Sequence, residues 1–237
     1  MKLLLLSNST NHGEEYLAWP SPQISDFLGP AIKGVTFVPF AAVTLEWKEY
    51  YEKVRERFTG LGYFCESVHL TAEPGEMLSK AEAIVIGGGN TFHLLKQLQD
   101  HDCLDLIRER VLAGCPYIGW SAGSNLACPT IMTTNDMPVV QPRNFDALNL
   151  VPFQINPHYT EAILPNHGGE SRDMRIQEYI ELNPEKTVLG IPEGCSLWVQ
   201  NGEVHYRGKA PIKIFRKGFP AETITEENTD LAWLMEK

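Results

Sequence analysis

Short apolar runs alternate with amphipathic segments along most of the chain. The runs typical of buried strands cover residues 3–6, 35–40, 64–70, 83–86, 117–120, 153–156 and 188–191. Between them, apolar residues recur every three or four positions in the segments 47–58, 91–99, 104–113 and 172–182, which predicts helices. This alternation predicts an α/β fold in which a largely parallel, doubly wound sheet is covered by helices on both faces.

The last part of the chain has a different pattern. Asn201-Gly202 separates the alternating segments 196–200 and 203–207, which predicts a C-terminal β-hairpin that closes one edge of the sheet. No repeat, low-complexity stretch or linker divides the chain. We therefore expect one domain over residues 1–237.

Composition and charge exclude several classes of protein. The 30 acidic side chains outnumber the 20 basic ones, so we expect no nucleic acid partner. The apolar run at residues 3–6 is too short for a signal peptide or a membrane span, so we expect no membrane insertion. Five widely spaced cysteines, with no CxxC pair or Cys/His cluster, predict reduced thiols in a cytoplasmic protein without a metal site.

One candidate nucleophile follows the strand predicted at residues 117–120. Gly119-Trp120-Ser121-Ala122-Gly123 has the G-x-S-x-G spacing of a nucleophile elbow, where a tight turn lifts the serine hydroxyl above the sheet edge. Side chains at the two glycine positions would collide with neighbouring backbone. An ordinary glycine turn is the alternative interpretation.

A second glycine-rich turn follows the strand predicted at residues 83–86. Gly87-Gly88-Gly89-Asn90 lacks the Lys-Ser/Thr of a Walker loop and the third glycine of a Rossmann fingerprint. We expect an oxyanion hole that pairs the N–H of Gly88 or Gly89 with that of Ala122. Asn90 is suited to cap the next helix and is also a candidate substrate-binding residue. A simple strand-to-helix turn is the alternative.

A serine hydroxyl needs a base, and the base needs an orienting acid. His158 is the leading candidate base because it directly follows the strand predicted at residues 153–156. The other histidines lie at positions with less reason to converge on the serine: His12, His69, His93, His101, His167 and His205. Two acids compete for the third role, Glu193 after a predicted strand and Asp136 in a polar loop.

Several blocks of sequence together resemble the peptidase E family of aspartyl dipeptidases. They are residues 4–10 (LLLSNST), 85–95 (VIGGGNTFHLL), 118–130 (IGWSAGSNLACPT), 133–138 (TTNDMP), 154–158 (QINPH), 169–176 (GESRDMRI) and 190–194 (GIPEG). The resemblance implies a cofactor-free cytoplasmic serine peptidase that cleaves short peptides beginning with L-aspartate. It also implies a fold similar to class I glutamine amidotransferase domains.

Residue roles carry over from the resemblance by motif. It implies that Ser121 is the nucleophile, His158 the base and Glu193 the acid, while the role of Asp136 stays open. The runner-up is a cyanophycinase-like hydrolase. A silent domain that binds a small anion at residues 87–90 is an alternative of a different class. The sequence makes no prediction of the oligomeric state.

The partner predicted from the resemblance is a small acidic peptide, Asp-X. We assign its side-chain carboxylate to Arg172, with Arg175 as the alternative, because a guanidinium can bind a carboxylate through two parallel hydrogen bonds. Ser171 is expected to cap the helix that follows, which places Arg172 in its first turn.

Overall fold

The computed structural model describes residues 1–162, 168–227 and 229–236. Its strands are β1 (Lys2–Leu6), β2 (Gly34–Val38), β3 (Phe64–Ser67), β4 (Ile84–Ile86), β5 (Tyr117–Trp120), β6 (Gln154–Pro157), β7 (Thr187–Ile191), β8 (Ser196–Gln200), β9 (Glu203–Arg207), β10 (Ile212–Arg216) and β11 (Glu222–Ile224). Its α-helices are α1 (Ser21–Leu28), α2 (Trp47–Gly60), α3 (Pro74–Ser79), α4 (Thr91–Asp100), α5 (Leu104–Leu112), α6 (Ala122–Leu126) and α7 (Arg172–Leu182). Short 3-10 helices lie at Val68–Leu70 and Ala232–Met235.

The larger sheet has seven strands in the order β3-β2-β4-β5-β1-β8-β9. The first five are parallel, and β8 and β9 run antiparallel at one side. The turn between β8 and β9 is Asn201-Gly202, as the sequence predicts. The prediction of an α/β fold with a largely parallel sheet is confirmed.

A second sheet is the main difference from the predicted arrangement. β6 and β7 are parallel to each other and pair with β10 and β11 in the order β11-β10-β7-β6. They cannot extend the larger sheet at β1, because β8 occupies that edge of β1 over its whole length, from Lys2 opposite Gln200 to Leu6 opposite Ser196. The parallel pair therefore builds its own sheet.

The strand predicted at residues 64–70 is shorter than expected. β3 ends at Ser67, and the last three residues of the run form a 3-10 helix. β3 is an edge strand with alternating burial, and Phe64 is 77% exposed. Its apolar content therefore does not mark a strand buried on both faces.

Alternate residues of β1 enter two different buried clusters. Leu3 and Leu5 pack with α3 to α6 and with the second sheet, whereas Leu4 and Leu6 pack with α1 and α2 on the opposite face. All four side chains are fully buried. The larger sheet is thus covered on both faces, as the uninterrupted apolar strands predict.

Several strands bring their carboxyl ends together. β1, β5 and β4 are parallel neighbours in the larger sheet, so their carboxyl ends lie side by side. The Ser7 hydroxyl, just after β1, donates to the Ile191 carbonyl at the end of β7, which brings the end of the second sheet to the same place. Loops at the carboxyl ends of parallel strands commonly carry function. In the described part of the chain, no helix is long and apolar enough to cross a membrane.

Candidate active site

Ser121 lies at the turn between β5 and α6. Its backbone has φ 52° and ψ −111°, a conformation that non-glycine residues rarely adopt. The Ser121 N–H donates to the Leu6 carbonyl at 3.0 Å, and the Ser121 carbonyl accepts from the Ser124 N–H at 3.0 Å. These two hydrogen bonds hold the strained turn, which is the geometry of a nucleophile elbow.

The glycines on either side of Ser121 make close backbone contacts. A Cβ on Gly119 would lie 2.5 Å from the carbonyl carbon of Gly123, and a Cβ on Gly123 would lie 2.2 Å from the carbonyl oxygen of Ile86. Neither position has room for a side chain. The steric reason predicted for the two glycines is therefore confirmed.

His158 and Glu193 reach Ser121 from the second sheet. His158 follows β6 and Glu193 follows β7, and these two strands are neighbours. The Nε2 atom of His158 is 2.9 Å from the Ser121 Oγ, and its Nδ1 atom is 2.7 Å from Oε1 of Glu193. A continuous hydrogen-bonded chain therefore links serine, imidazole and carboxylate.

Two residues at the end of β1 hold the loops that carry the imidazole and the carboxylate. The buried hydroxyl of Ser7 accepts from the backbone N–H of His158 at 2.8 Å and donates to the Ile191 carbonyl at 2.7 Å. The Oδ1 atom of Asn8 accepts from the N–H of Gly194 at 2.8 Å. His158 has a φ of 52°, so its unusual backbone depends on such fixed partners.

The Gly87–Gly89 turn lies against the elbow. A Cβ on Gly88 would stand 3.0 Å from Cβ of Ser121, which places the two backbones side by side. Among the described residues, the N–H groups of Gly87 and Asn90 donate to backbone carbonyls, and no such partner is found for those of Gly88 and Gly89. Ala122, the third predicted donor, is the first residue of α6, where N–H groups have no partner within the helix.

Asp136 does not contact the imidazole among the hydrogen bonds of the described residues. Its Oδ2 atom accepts from the N–H of Thr91 at 2.7 Å, from the Thr91 hydroxyl at 2.6 Å and from the Thr134 hydroxyl at 3.0 Å. Thr91 begins α4, so the carboxylate is bound at the amino end of that helix. Of the two competing acids, the structure places Glu193 against His158.

Both polar atoms of the Asn90 side chain have partners. Oδ1 caps α4 by accepting from the N–H of His93 at 3.0 Å, as the sequence predicts, and Nδ2 donates to the Met137 carbonyl at 2.8 Å. Contact of Asn90 with a substrate stays a prediction. Its observed contacts join the glycine turn to the loop that carries Asp136.

Arg172 lies beside a cavity of about 210 Å³ next to this loop. Ser171 accepts from the N–H of Met174, so the predicted helix cap is confirmed and Arg172 occupies the first turn of α7. Its guanidinium donates to Oδ1 of Asn135. Burial, and secondarily the nearby charge of Arg175, lower the pKa of Arg172 from its ordinary value. The cavity is lined by Met132, Thr133, Thr134, Asn135, Asp136, Asn156, Arg172, Arg175, Ile176 and Tyr179.

Arg175 lines the same cavity but is less suited to binding a carboxylate. Its side chain is 63% exposed, and its Nε atom lies 3.8 Å from Oε2 of Glu170. Arg172 has no acidic partner among the salt bridges of the described residues. Of the two arginines, Arg172 is therefore the one with a free positive charge at the cavity.

Other candidate centres are not found in the described residues. There, no group of three or more His, Cys, Asp or Glu side chains is placed to hold a metal ion. His158 is the histidine bound to Ser121, and His167 lies outside the described residues.

The geometry allows acyl-transfer chemistry. An imidazole hydrogen-bonded to a serine hydroxyl can accept its proton, and a carboxylate on the other ring nitrogen can stabilise the imidazolium that forms. Free N–H groups beside the serine can bind the negative oxygen of a tetrahedral intermediate. Glu193 is more exposed than a buried triad acid, with 56% of its side-chain surface accessible.

Sequence reasoning assigned no role to Ser7 and Asn8. Both belong to the LLLSNST block, which resembles the peptidase E family but carries no recognised catalytic pattern. The sequence does contain one indication of a role for these two residues. Polar residues that directly follow a fully apolar strand lie at the carboxyl end of that strand, where a parallel sheet gathers its functional groups.

Sequence comparisons identify relatives over most of the chain. The model of Peptidase family S51 matches residues 3–207. Peptidase E from Nostoc sp. is 52% identical over 217 residues, which are 92% of this chain and 90% of the relative. Peptidase E from Salmonella typhimurium is 47% identical over 218 residues, which are 92% of this chain and 95% of the relative.

Solved structures agree with this relationship. A Listeria monocytogenes protein assigned to peptidase E superposes with a TM-score of 0.66 at 29% identity, covering 88% of this chain and 98% of its own. A peptidase from an acI-B1 Actinobacterium gives a TM-score of 0.71 at 17% identity, covering 97% and 96%, and this likeness concerns the fold alone. Because the family model covers most of the chain and the sequence relatives are about half identical, the chain belongs to peptidase family S51.

Proposed function

We propose that this peptidase hydrolyses dipeptides that begin with L-aspartate (Asp-X), through an acyl-enzyme intermediate on Ser121. The observation that carries the mechanism is the hydrogen-bonded chain from Ser121 through His158 to Glu193. The name of the two sequence relatives, peptidase E, supports the substrate class. In this mechanism the site needs no cofactor.

In the first half of the reaction, the Ser121 oxygen attacks the peptide carbonyl carbon while its proton moves to Nε2 of His158. Glu193 holds the other ring nitrogen and stabilises the imidazolium. The carbonyl oxygen becomes negative and is bound by the N–H of Ala122 and by one N–H of the Gly88–Gly89 turn. His158 then gives its proton to the leaving amine, and the carbon–nitrogen bond breaks.

In the second half, water takes the place of the serine. Its oxygen attacks the acyl carbon while His158 accepts a proton, and the second tetrahedral intermediate uses the same N–H groups. His158 returns the proton to the Ser121 oxygen as the ester bond breaks. Free aspartate leaves, and the enzyme is restored.

Substrate recognition is proposed at the cavity beside Arg172. The guanidinium binds the aspartate side chain, which suits its planar arrangement of donors. Asp136 is the candidate partner of the substrate's α-ammonium group. Its Oδ2 is fully engaged, while in the described part of the chain no hydrogen bond to Oδ1 is found.

Two further proposals concern the whole chain. We propose a single domain, supported by a buried cluster that includes Leu3 and Leu5 of the larger sheet together with Leu189 and Ile214 of the second. We propose a cytoplasmic location, supported by the five cysteines, which are free and buried.

The function is tested by assaying purified protein against Asp-Leu, Glu-Leu, Asn-Leu, N-acetyl-Asp-Leu and a β-linked Asp-Arg peptide by liquid chromatography. We expect cleavage of Asp-Leu well above the others, and a loss of kcat on the order of a million-fold in Ser121→Ala. Preferred cleavage of β-Asp-Arg would instead indicate a cyanophycinase-like hydrolase. More than about one per cent residual activity in Ser121→Ala would exclude Ser121 as the nucleophile.

A further inference from the structure

The carbonyl of Gly88 is held from inside the protein by a tyrosine. Tyr50 lies in α2 and is 5% exposed. Its hydroxyl donates to the Gly88 carbonyl at 3.0 Å and accepts from Nε1 of Trp120 at 3.0 Å. Trp120 directly precedes the nucleophile, so Tyr50 joins the serine elbow to the glycine turn that lies against it.

The position of the Tyr50 hydroxyl is fixed by its surroundings. The ring makes an edge contact with Phe37, with centroids 5.1 Å apart, and another with Tyr16. On the other side, a Cβ on Gly87 would lie only 2.5 Å from the hydroxyl oxygen. Gly87 is therefore required for Tyr50 to reach the carbonyl. The first glycine of the turn has a role that an oxyanion hole alone does not explain.

The orientation of one peptide group follows from this hydrogen bond. In a planar trans peptide the C=O and the next N–H point in opposite directions. The Gly88 carbonyl points inward to the buried Tyr50 hydroxyl, so the N–H of Gly89 points outward, toward the exposed side of the turn. Gly88 itself lies against Ser121. The outward N–H is therefore available beside the nucleophile.

We propose that Tyr50 is a positioning residue for the oxyanion hole, and that it selects the N–H of Gly89 as the partner of the Ala122 N–H. This inference rests on the proposed function, because it assumes that Ser121 attacks a carbonyl. The hydroxyl acts through the Gly88–Gly89 peptide and does not touch the substrate. Gly89 has a φ of 139°, and a Cβ there would lie 2.3 Å from the Ala41 carbonyl oxygen, so only glycine fits the position.

The hydroxyl stays a donor over the working pH range. Burial raises the pKa of Tyr50 to about 12. Its proton is therefore retained near neutral pH, and the hydrogen bond to the Gly88 carbonyl persists there.

The test compares Tyr50→Phe with Tyr51→Phe. Tyr51 follows Tyr50 in α2, and its hydroxyl also donates to a backbone carbonyl at 3.0 Å, that of Cys65 in β3. We expect Tyr50→Phe to lower kcat for Asp-Leu by about 10- to 100-fold with KM within about threefold, because a loosened donor acts mainly on the transition state. Tyr51→Phe should keep both constants. Equal kcat in Tyr50→Phe and wild type, or equal losses in both variants, would overturn the proposal.

A second measurement needs no variant. Protein labelled with ¹⁵N-glycine is studied by NMR before and after a fluorophosphonate has reacted with Ser121, since the phosphoryl oxygen of the adduct occupies the oxyanion position. We expect the amide proton of Gly89 to move downfield more than that of Gly88. A larger shift at Gly88 would assign the donor to the other peptide and overturn the proposal.

The rate of phosphonylation separates this inference from the proposed function. If wild type cleaves no Asp-X peptide yet reacts with the probe about tenfold faster than Tyr50→Phe, the proposed substrate is wrong and the proposed role of Tyr50 is supported. If wild type cleaves Asp-Leu, and Tyr50→Phe reacts with the probe and cleaves Asp-Leu at the wild-type rates, the proposed role of Tyr50 is wrong and the proposed function is supported.

Discussion

Ser121 keeps a left-handed backbone although it carries a side chain. Such a conformation costs on the order of 1–3 kcal/mol, and it persists only where the surroundings enforce it. Here the enforcement comes from the Leu6 carbonyl on one side and the first turn of α6 on the other. His158 also has a positive φ, of 52°. Two of the six non-glycine residues with positive φ in the described part of the chain are thus the hydrogen-bonded pair for which proton transfer is proposed.

The first prediction concerns the acid. Glu193→Gln should lower kcat by about ten-thousand-fold with little change in KM, because it removes the charge that stabilises the imidazolium. Asp136→Asn should mainly raise KM if Asp136 binds the α-ammonium group. Steady-state kinetics on Asp-Leu measure both. A large kcat loss in Asp136→Asn together with near-normal kcat in Glu193→Gln would reverse the two roles. A loss of about ten-thousand-fold is typical of a buried triad acid, so with Glu193 56% exposed it is the upper bound of the expected loss.

The second prediction concerns specificity. Arg172→Met should cost about 2–5 kcal/mol in kcat/KM for Asp-Leu, because it removes a charged partner of the substrate carboxylate. The cost for Asn-Leu should be far smaller. Arg175→Met is the matched control on the same helix, and its Asp-Leu to Asn-Leu ratio should stay near that of wild type. If Arg175→Met lowers the ratio and Arg172→Met does not, the carboxylate belongs to Arg175.

At this scale the sequence predicts a residue when the chemistry has a local signature. The two flanking glycines are a local signature for Ser121, and the run of glycines is a local signature for Gly87–Gly89. No local signature decides between Glu193 and Asp136, because that choice depends on which loop meets His158 in space. Tyr50 has no local signature either, since its hydroxyl donates to the carbonyl of Gly88, which is 38 residues away in sequence.

The end of β1 contacts three parts of the site. Leu6 at its end accepts from the Ser121 N–H, and Ser7 and Asn8 hold the loops of His158 and Glu193. β1 is flanked by β5 and β8, so its end cannot move independently of either neighbour. One short strand thus aligns groups that arrive from two sheets.

The third prediction is that Ser7→Ala lowers kcat by about tenfold or more with little change in KM. The variant leaves the N–H of His158 unpaired and removes the link between that N–H and the Ile191 carbonyl described above, so the backbone that carries the imidazole loses a fixed partner. The Ile191 carbonyl still accepts from the N–H of Tyr159. Ser196→Ala is the control, since Ser196 is an equally buried serine at the start of β8, and its hydroxyl donates to the side chain of Gln23 in α1. Comparable kcat losses at matched thermal stability in both variants would argue for a general structural effect.

The sequence predicts the bounds of helices and strands better than it predicts which strands pair in a sheet. The helix at 172–182 and the hairpin segments match the structure residue for residue, because periodicity and Asn201-Gly202 are local signals. α6 escaped prediction because it has only five residues. The assignment of β6 and β7 to a second sheet was also missed. Their apolar sequences suit either sheet, and the choice depends on β8 reaching the edge of β1.

Across the whole molecule, the cysteines share one environment. All five are buried and free. Burial raises the pKa of the Cys65 thiol to about 12 and that of Cys103 to about 11, and it raises those of the other three as well. The reactive thiolate is therefore scarce in the folded state.

The fourth prediction is that iodoacetamide at pH 8 labels the native protein far more slowly than the protein in guanidinium chloride, where all five cysteines react. Intact-mass spectrometry counts the labels, and rapid labelling of one native cysteine would contradict the prediction.

The raised pKa values of the cysteine thiols also have a consequence for stability. Above about pH 9 the unfolded chain loses thiol protons that the folded chain keeps, so the melting temperature should fall as pH rises.

The bonds made by Ser7 and Asn8 also set the order of events during translation. Ser7 meets Ile191 across 184 residues, and Asn8 meets Gly194 across 186. At about 5–20 residues per second, ribosomes need roughly 10–40 seconds to cover that distance. At the start of this interval β1 has neither β5 nor β8 beside it, and Ser121 is synthesised before His158 and Glu193. A nascent chain on the ribosome therefore lacks the hydrogen-bonded chain of Ser121, His158 and Glu193 until the residues up to Gly194 have emerged.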